Sequence, residues 1–309
     1  MIKEIHLFLK TILTNTEFEG KTYFVGGCVR DYYRDIKAHD VDIVVDMKDG
    51  AKKLSHFIYN YFKERLCDGM LKSTITSPYQ LGHYPIYSIS FKDNFAMPGH
   101  FYVVNGITIE IADTMKEEFP DEDSRQREVS YGSLEEDIMR RDYSINSGLI
   151  DVVSFEFKDL TPDKTILNDI EKGIIRCNMD YAWYINEIFS NDPLRILRGV
   201  VFAARFNFNI DIYVKCRMID NIHRLKIVSR ERINAEITKS DSSLIQRLKK
   251  GVYFDNNIKF DIHNIKKHQK SINKMYPILK DIAAKYNYNI SFKILRNKSK
   301  SNGWSWKES

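Results

Sequence analysis

One segment, residues 26–46, most constrains what this chain can fold into. It reads GGCVRDYYRDIKAHDVDIVVD: a glycine pair, a short helix-like stretch, and a β-branched run that opens with two aspartates. An apolar run precedes it, so the pattern predicts a strand at 21–25, a helix at 28–37 and a second strand at 41–46. This order predicts the start of an α+β domain in which the turn, the helix and the second strand share one site.

The glycine pair and the two aspartates each suit a charged ligand. Gly26 and Gly27 lack Cβ atoms, so backbone N–H groups can approach an anion there, next to the start of a helix. Asp40 and Asp42 flank Val41, which places both carboxylates on one side of the strand as hard oxygen ligands for Mg²⁺. Triphosphate plus metal is the ligand that this combination implies. The alternative is a simple Gly-Gly turn followed by an acidic strand edge.

The rest of the chain separates into a mixed sheet and a helical part. Amphipathic patterns predict helices at about 2–14 and 50–65. Alternating runs separated by turn residues predict antiparallel strands that complete the sheet: YPIYSISF, FYVVN and ITIEIAD. The charged segment at 113–133 is expected to be a loop, and beyond Asp151 helical patterns take over. The expected fold class is therefore α+β: a head with a mixed, largely antiparallel sheet and helices, followed by all-α segments.

Three further motifs place the first segment in a family context. Residues 134–146 read LEEDIMRRDYSIN, residues 191–198 read NDPLRILR, and residues 229–233 read SRERI. Together with G-G-x-V-R-D and D-x-D, they resemble the motifs of class II tRNA nucleotidyltransferases (CCA-adding enzymes) and bacterial poly(A) polymerases, in the DNA polymerase β superfamily. The resemblance extends over residues 20–240 and implies a nucleotidyltransferase head.

The resemblance also implies roles for individual residues. Two Mg²⁺ ions are expected at Asp40 and Asp42, with Glu110 as a third catalytic carboxylate. An outward-facing strand carboxylate is the alternative for Glu110. Contacts to the triphosphate and the ribose are expected from Gly26, Gly27, Arg30, Arg140, Arg141, Asp142 and Asn146. Because Arg140 and Arg141 are adjacent, they point to different sides, and only one of them is expected to face the triphosphate.

A pair of charged residues bears on base selection. Asp192 and Arg195 lie three positions apart in a helical pattern, so they share a face. A carboxylate acceptor beside a guanidinium donor matches the amino donor and ring-nitrogen acceptor of cytosine and adenine, whereas uracil and guanine offer the inverse order. With Arg198 on the same helix, the resemblance implies recognition of CTP and ATP without a template. An ordinary surface ion pair is the alternative.

The charge of the chain is unevenly distributed. From Asp241 onward there are 15 Lys and Arg against 5 Asp and Glu, whereas residues 1–240 carry 32 against 37. Basic clusters interleaved with aromatic residues suit contacts with tRNA phosphates, and they include Lys249, Lys250, Lys266, Lys267 and Lys270. A solvated basic surface is the alternative. The expected domains are a catalytic head at 1–150, a helical neck and body at 151–240, and a basic helical tail at 241–309.

The remaining composition favours a cytoplasmic protein. The cysteines at 28, 67, 177 and 216 show no C-x-x-C spacing, so neither a zinc site nor a disulfide framework is expected. No apolar run approaches the length of a membrane span, and the first residues have helical rather than signal-peptide patterning. The sequence does not indicate an oligomeric state.

The expected function is the template-independent addition or repair of the 3′-terminal CCA of tRNA from CTP and ATP, with Mg²⁺ as the metal. A poly(A) polymerase is the nearest alternative, although the G-[RK]-[RK]-F segment typical of the bacterial poly(A) enzymes is absent after the D-x-D strand. An enzyme that adds only C or only A is a second alternative. A non-catalytic RNA-binding protein on the same scaffold is a third.

Overall fold

The computed structural model describes residues 2–36, 40–67, 74–82, 84–92, 95–96, 103–104, 107–120 and 127–238, together with strands at 253–254, 257–263 and 289–295. Within these residues the helices are α1 (Ile2–Leu13), α2 (Gly27–Tyr33), α3 (Gly50–Cys67), α4 (Leu134–Met139), α5 (Ile166–Lys172), α6 (Ala182–Asn191), α7 (Leu194–Phe206), α8 (Ile212–Asn221) and α9 (Arg230–Thr238). Two 3₁₀ turns span Ser144–Asn146 and Ile222–Ile227.

The strands of the same residues divide into longer and shorter ones. The longer strands are β1 (Thr22–Val25), β2 (Asp40–Val45), β5 (Ile86–Lys92), β8 (Ile107–Asp113), β9 (Met115–Glu118), β10 (Glu128–Tyr131), β11 (Leu149–Asp151), β16 (Asn257–His263) and β17 (Asn289–Leu295). Two-residue strands are β3 (Thr74–Ile75), β4 (Tyr79–Gln80), β6 (Phe95–Ala96), β7 (Val103–Val104), β12 (Phe157–Lys158), β13 (Ile174–Ile175), β14 (Asn209–Ile210) and β15 (Tyr253–Phe254).

The main sheet has the strand order β12-β11-β1-β2-β8-β5-β3, and β4 also pairs with β5. Strands β2 and β8 run parallel, whereas every other described pair in this sheet is antiparallel. The mixed, largely antiparallel sheet expected from the sequence is therefore confirmed. Its central strand β2 carries the D-x-D motif between the glycine turn that follows β1 and the strand β8.

Alternation along β2 separates a core face from a functional face. Val41 and Ile43 are buried with Ile109 and Ile111 of β8 in a core that also takes in α1 and α3. Asp40 and Asp42 therefore project from the opposite face. Further along that face Val44 joins a second, smaller core with residues of β1, β11 and α4. The sheet thus leaves a polar region at one end of β2, bordered by α4.

Two elements differ from what the sequence predicted for the head. Helix α2 ends at Tyr33, where the Arg34 N–H donates to the carbonyl of Asp31 and the Asp35 N–H donates to that of Tyr32, three residues back in each case, in a tightened last turn. Residues 113–133, expected to be a loop, instead contain the β9–β10 hairpin in antiparallel register. Its paired strands, MKEE and EVSY, are too polar to give a clear strand pattern.

The chain separates into two compact units, Met1–Ile188 and Phe189–Ser309. Strands β11 and β12 and helix α5 all fall in the first unit. In the second unit, α7 packs against α9, and Leu197 and Val200 of α7 are buried. No helix of the described part is both long and apolar enough to cross a membrane.

The described residues near the end of the chain are strands, where the sequence analysis expected a helical tail. Strand β16 pairs antiparallel with β15 and parallel with β17. Ile258, Phe260 and Ile262 alternate with polar residues along β16, and β17 shows the same period of two, so these residues form strands rather than a helix. The expected RNA-binding residues Lys249, Lys250, Lys266, Lys267 and Lys270 lie outside the described residues.

Candidate active site

The turn between β1 and α2 packs directly against the D-x-D strand. Gly26 has φ +76° and ψ −139°, a backbone conformation that favours glycine. A Cβ at Gly26 would lie 3.2 Å from Oδ2 of Asp42 and 4.0 Å from Nη1 of Arg141. At Gly27 a Cβ would lie 3.3 Å from Nη2 of Arg30. The glycine pair therefore leaves space at the point where the carboxylate and the arginines meet.

Three carboxylates from two strands crowd this point. Asp42 pairs with Glu110 in the parallel register of β2 and β8, and Asp40 lies two residues before Asp42. Burial and the charge of Glu110 raise the pKa of Asp42 to about 6, although Arg141 acts against them. Burial also raises the pKa of Glu110, and the charge of Asp40 adds to it. The sheet thus concentrates negative charge that a cation would neutralise.

The residues at this point fit a Mg²⁺ ion shared with a nucleotide. The described residues contain no group of three or more His, Cys, Asp or Glu that could hold a metal ion alone. Mg²⁺ at phosphate-transfer sites is, however, commonly held by one or two carboxylates together with substrate phosphates. Asp40 and Asp42 supply that number of hard oxygen ligands, and their mutual repulsion favours a cation between them and the substrate.

A buried aspartate in α4 holds the two adjacent arginines. Oδ2 of Asp137 accepts from Nη2 of Arg141 at 2.7 Å, and Oδ1 accepts from Nη2 of Arg140 at 2.7 Å. Burial alone would raise the pKa of Asp137, but Arg141 and Arg140 outweigh it and hold that pKa below its usual value. Arg140 also donates to Glu117 and to the carbonyl of Met115. Arg140 is therefore directed at the β9–β10 hairpin, and Arg141 at Asp42.

Asp137 was not among the residues that the sequence analysis selected, although a signal for it was present. It lies three positions before Arg140 and four before Arg141, the two spacings that bring side chains together on a helix. Glu117 had no such signal, because the β9–β10 hairpin brings it to Arg140 across 23 positions of sequence.

A second buried network joins the glycine turn to the RRD motif. Arg30 donates from Nη1 to Oδ1 of Asn146 at 2.6 Å and from Nε to Oδ1 of Asp31 at 2.9 Å. Asn146 in turn donates to Oδ1 of Asp142 at 3.2 Å, and the same oxygen accepts from the backbone of Tyr143 at 2.9 Å. The predicted residues Arg30, Asp142 and Asn146 thus come together, with Arg30 fixed on both sides.

The 3₁₀ turn that carries Asn146 is itself fixed by a buried acid. Oδ2 of Asp169 accepts from the hydroxyl of Ser144 at 2.6 Å and from that of Thr165 at 3.0 Å. The guanidinium of Arg176 lies 3.6 Å from Oδ1 of the same side chain. Asp169 therefore fixes the position of the 3₁₀ turn that follows Arg140, Arg141 and Asp142. No local sequence pattern indicated this role.

The residues expected to recognise the base lie in the second unit. Arg195 is buried and Asp192 is half-buried at the start of α7. Oδ1 of Asp192 accepts from the backbone N–H of Leu194 at 3.2 Å. The guanidinium of Arg198 lies 5.5 Å from the ring centroid of Phe202. Asp192 therefore supports the start of the helix in addition to any contact it makes with a ligand.

The first unit matches a known family of domains. The sequence model described as "Poly A polymerase head domain" matches residues 22–86 and 97–176, which include β1, β2, α4 and the RRD motif. The matched part of the chain belongs to this family of domains. The family resemblance expected from the motifs is confirmed, and the poly A polymerase head domain contains every contact described above for Asp42, Arg141 and Asn146.

Two known enzymes are similar to this chain over a longer stretch than the domain match. The mitochondrial CCA tRNA nucleotidyltransferase of Saccharomyces cerevisiae is 29% identical over 224 residues, 69% of this chain and 37% of that protein. The CCA-adding enzyme of Staphylococcus epidermidis is 28% identical over 243 residues, 77% of this chain and 50% of that protein. The chain thus spans half or less of the length of these relatives.

Solved structures share the fold. A CCA-adding enzyme in apo form II superposes with a TM-score of 0.59 at 22% identity, covering 91% of this chain and 53% of that one. A complex of a CCA-adding enzyme with ATP has a TM-score of 0.54 at 20% identity, covering 90% and 50%. The Thermotoga maritima CCA-adding enzyme with tRNA has a TM-score of 0.53 at 20% identity, covering 91% and 50%.

Proposed function

We propose that this chain is a template-independent nucleotidyltransferase that builds or repairs the 3′-terminal CCA of tRNA from CTP and ATP. The convergence of the Gly26 turn, the carboxylates of β2 and β8, and Arg141 on one point carries the proposal. The names of the curated relatives support tRNA as the acceptor and CCA as the added sequence, and complexes of CCA-adding enzymes of similar fold with ATP, CTP and tRNA agree with them.

Each group at the site has a part in this reaction. Asp40 and Asp42 would hold two Mg²⁺ ions, with Glu110 as the third carboxylate. When bound, the metal neutralises the triphosphate and lowers the pKa of the attacking 3′-hydroxyl. Gly26 and Arg141 bind phosphate oxygens, the first through its open backbone and the second through its guanidinium. The network of Arg30, Asp142 and Asn146 shapes the ribose side of the pocket. Gly27 leaves room for the guanidinium of Arg30, and Arg140 binds the β9–β10 hairpin.

The parts of the chain beyond the head supply selectivity. Asp192, Arg195 and Arg198 select cytosine and adenine, and residues 241–309 bind tRNA through their lysines. In this proposal the head occupies 1–150, the neck and body 151–240, and the tail 241–309. A cytoplasmic location remains a prediction from the cysteine pattern.

One experiment tests the proposal against its rivals. Purified protein is incubated with Mg²⁺, a tRNA that ends at the discriminator base, and each nucleoside triphosphate alone or in pairs. We expect CTP alone to extend the tRNA by two residues, and CTP with ATP to extend it by three. The family description names poly A polymerase, and ATP alone giving long tails on any RNA would establish that alternative instead.

Two variants accompany this experiment. Asp42→Ala is expected to abolish incorporation because it removes a metal ligand. Asp46→Ala, which changes the last carboxylate after the same strand, is expected to retain it, since Asp46 contacts Thr114 and Tyr131 at 3.4 Å. No incorporation by the unmodified protein would exclude the enzyme and leave the RNA-binding alternative.

A further inference from the structure

The two sides of Asp42 differ in chemistry. On the β1 side lie Gly26, whose missing Cβ leaves space 3.2 Å from Oδ2 of Asp42, and Arg141, held by Asp137. These are an open backbone and a cation, the groups that bind phosphate oxygens. Under the proposed function, the triphosphate therefore extends from Asp42 toward β1 and α4.

The β8 side of Asp42 carries carboxylate and hydroxyl groups instead. Glu110 pairs with Asp42 on one side and with Ser88 on the other, and Thr108 pairs in the same way with Asp40 and Ser90. Because directly paired residues point to the same face of a sheet, all of these side chains share the face of the two aspartates. Strand β8, with the sequence ITIEIAD, has no Lys or Arg.

Two hydroxyls on this side form an ordered pair. Oγ of Ser90 lies 3.0 Å from Oγ1 of Thr108, and both residues are half-buried. The backbone of Ser90 is fixed, because its N–H donates to Oγ1 of Thr76 at 2.8 Å and its carbonyl accepts from the Thr76 N–H at 2.9 Å. The alternate residues Ile89 and Ile109 are buried in the core, which prevents the strands from rotating.

The reaction geometry relates the two sides. In nucleotidyl transfer the attacking hydroxyl and the leaving pyrophosphate lie roughly in line, on opposite sides of the α-phosphorus. If the phosphates extend toward Arg141, the attacking 3′-hydroxyl must approach over β8. The terminal ribose that carries it would then meet Thr108 and Ser90.

We propose that Thr108 and Ser90 bind the terminal ribose of the RNA acceptor through its 2′-hydroxyl. The inference rests on the proposed function and adds an acceptor subsite to it. A ribose hydroxyl both donates and accepts hydrogen bonds, as do the Thr and Ser hydroxyls, and the pair leaves each of them with further capacity. The 2′-hydroxyl is also the group by which a protein can distinguish an RNA end from a DNA end.

Kinetics of two variants test the subsite. Thr108→Val keeps a β-branched residue in the strand, and Ser90→Ala removes one hydroxyl, so both should fold. Each is expected to lower kcat/KM for a tRNA without CCA about three- to tenfold, the effect of one lost hydrogen bond, and to leave KM for CTP within about twofold. Ser130→Ala, at an exposed position in β10, is the matched control and should change neither constant.

A modified acceptor identifies the contact. An RNA hairpin ending in a 2′-deoxynucleotide, with its 3′-hydroxyl intact, should be extended by the unmodified protein as poorly as the normal acceptor is by Thr108→Val. With Thr108→Val the deoxy end should cause little further loss, because the same interaction has already been removed.

The outcomes separate this inference from the proposed function. If the unmodified protein transfers no nucleotide, the proposed function fails. If it is active but both variants keep normal kcat/KM for RNA, the subsite is wrong. The subsite is also wrong if, in the variants, KM for CTP rises by the same factor as kcat/KM for RNA falls. It is wrong as well if the 2′-deoxy end and Thr108→Val together lower activity by the product of their separate effects.

Discussion

Asp42 is the residue at which function and stability conflict most directly. In the proposed function Asp42 must be ionised to bind a cation, yet burial and Glu110 raise its pKa from 3.8 to about 6. The folded protein therefore holds the Asp42 proton more tightly than the unfolded chain does. Without metal, the free energy of unfolding should fall as pH rises from about 4 to about 6 and stay lowered above that range.

The first prediction follows from this linkage. Asp42→Asn should be more stable than the unmodified protein at pH 7.5 by about 1–3 kcal/mol, because the amide cannot ionise. Near pH 4 the two should be equally stable. Urea unfolding in the presence of a chelator measures both values. Glu156→Gln makes the same change at an exposed residue and should be neutral; an equal gain in both variants would contradict the prediction.

The second prediction compares the two adjacent arginines. Arg141→Lys should raise KM for CTP about tenfold, because lysine cannot keep the two hydrogen bonds that Nε and Nη2 of Arg141 donate to Oδ2 of Asp137 while also facing the phosphates. Arg140→Lys should leave KM for CTP nearly unchanged and lower the free energy of unfolding by about 1–2 kcal/mol, because lysine cannot reproduce the hydrogen bonds to Glu117 and Met115. Steady-state kinetics and urea unfolding of both variants decide it. Equal KM changes would mean that both arginines face the nucleotide.

The residues of the site could be predicted to different degrees. Asp40 and Asp42 follow from strand alternation, and the spacing of Asp137 would have sufficed to select it. The pKa of Asp42 could not be predicted, because its causes include Glu110, which reaches it from a strand 68 positions away in the sequence. Arg30 could be predicted as a site residue from its motif. Its hydrogen bond to Asn146 could not be predicted, because the two residues are 116 positions apart in the sequence.

At the scale of elements, the turn after β1 offers a third prediction. Gly26→Ala should lower the free energy of unfolding by about 1–3 kcal/mol from backbone strain, and also lower kcat, because its Cβ would crowd Asp42. Gly20 also has a positive φ, +71°, but a Cβ there would meet nothing within 4 Å. Gly20→Ala should therefore reduce stability alone. Thermal unfolding and the rate of CTP incorporation distinguish the effects of the two variants. A normal kcat for Gly26→Ala would show that the turn at Gly26 takes no part in the reaction.

Helix α7 provides the fourth prediction, on base choice. Asp192→Asn keeps an oxygen that accepts from the Leu194 N–H, so the helix should stay intact, but it replaces an acceptor by a donor on the other atom. Discrimination against UTP and GTP should weaken by about 1–3 kcal/mol per unpaired group. Incorporation from each triphosphate measures the preference, with circular dichroism as the control. If the preference is unchanged, Asp192 does not recognise the base, and the alternative of an ordinary surface ion pair holds.

Elements were predictable where their periodicity was strong. β1, β2, α1 and α3 were expected close to their observed bounds because apolar residues recur at clear strand or helix spacing. The β9–β10 hairpin was missed because its strands are mostly polar, so its pairing depends on partners such as Arg140 rather than on a buried face. The strands β16 and β17 were missed for another reason: their alternation lies within a Lys-rich region that was interpreted by its charge.

For the whole molecule, the uneven charge gives the fifth prediction. A chain ending at Lys250 loses β15, β16 and β17 together and most of the basic excess. KM for tRNA should rise strongly and KM for CTP little, since the nucleotide motifs precede the cut. The salt dependence of tRNA affinity should become shallower, because fewer phosphate contacts release counterions. Circular dichroism and CTP binding control for folding, and an equal salt slope would identify the tail as a solvated surface.

The position of β1 in the sheet has a consequence for synthesis on the ribosome. β1 lies between β2, which follows it closely, and β11, which pairs Ile150 with Phe24. A nascent chain that has emerged only through β8 therefore exposes one edge of an apolar strand, a template for wrong pairing. The main sheet can be completed only after β11 and β12, which end at residue 158, have left the exit tunnel. Slow translation between residues 113 and 158 should therefore favour aggregation or chaperone binding.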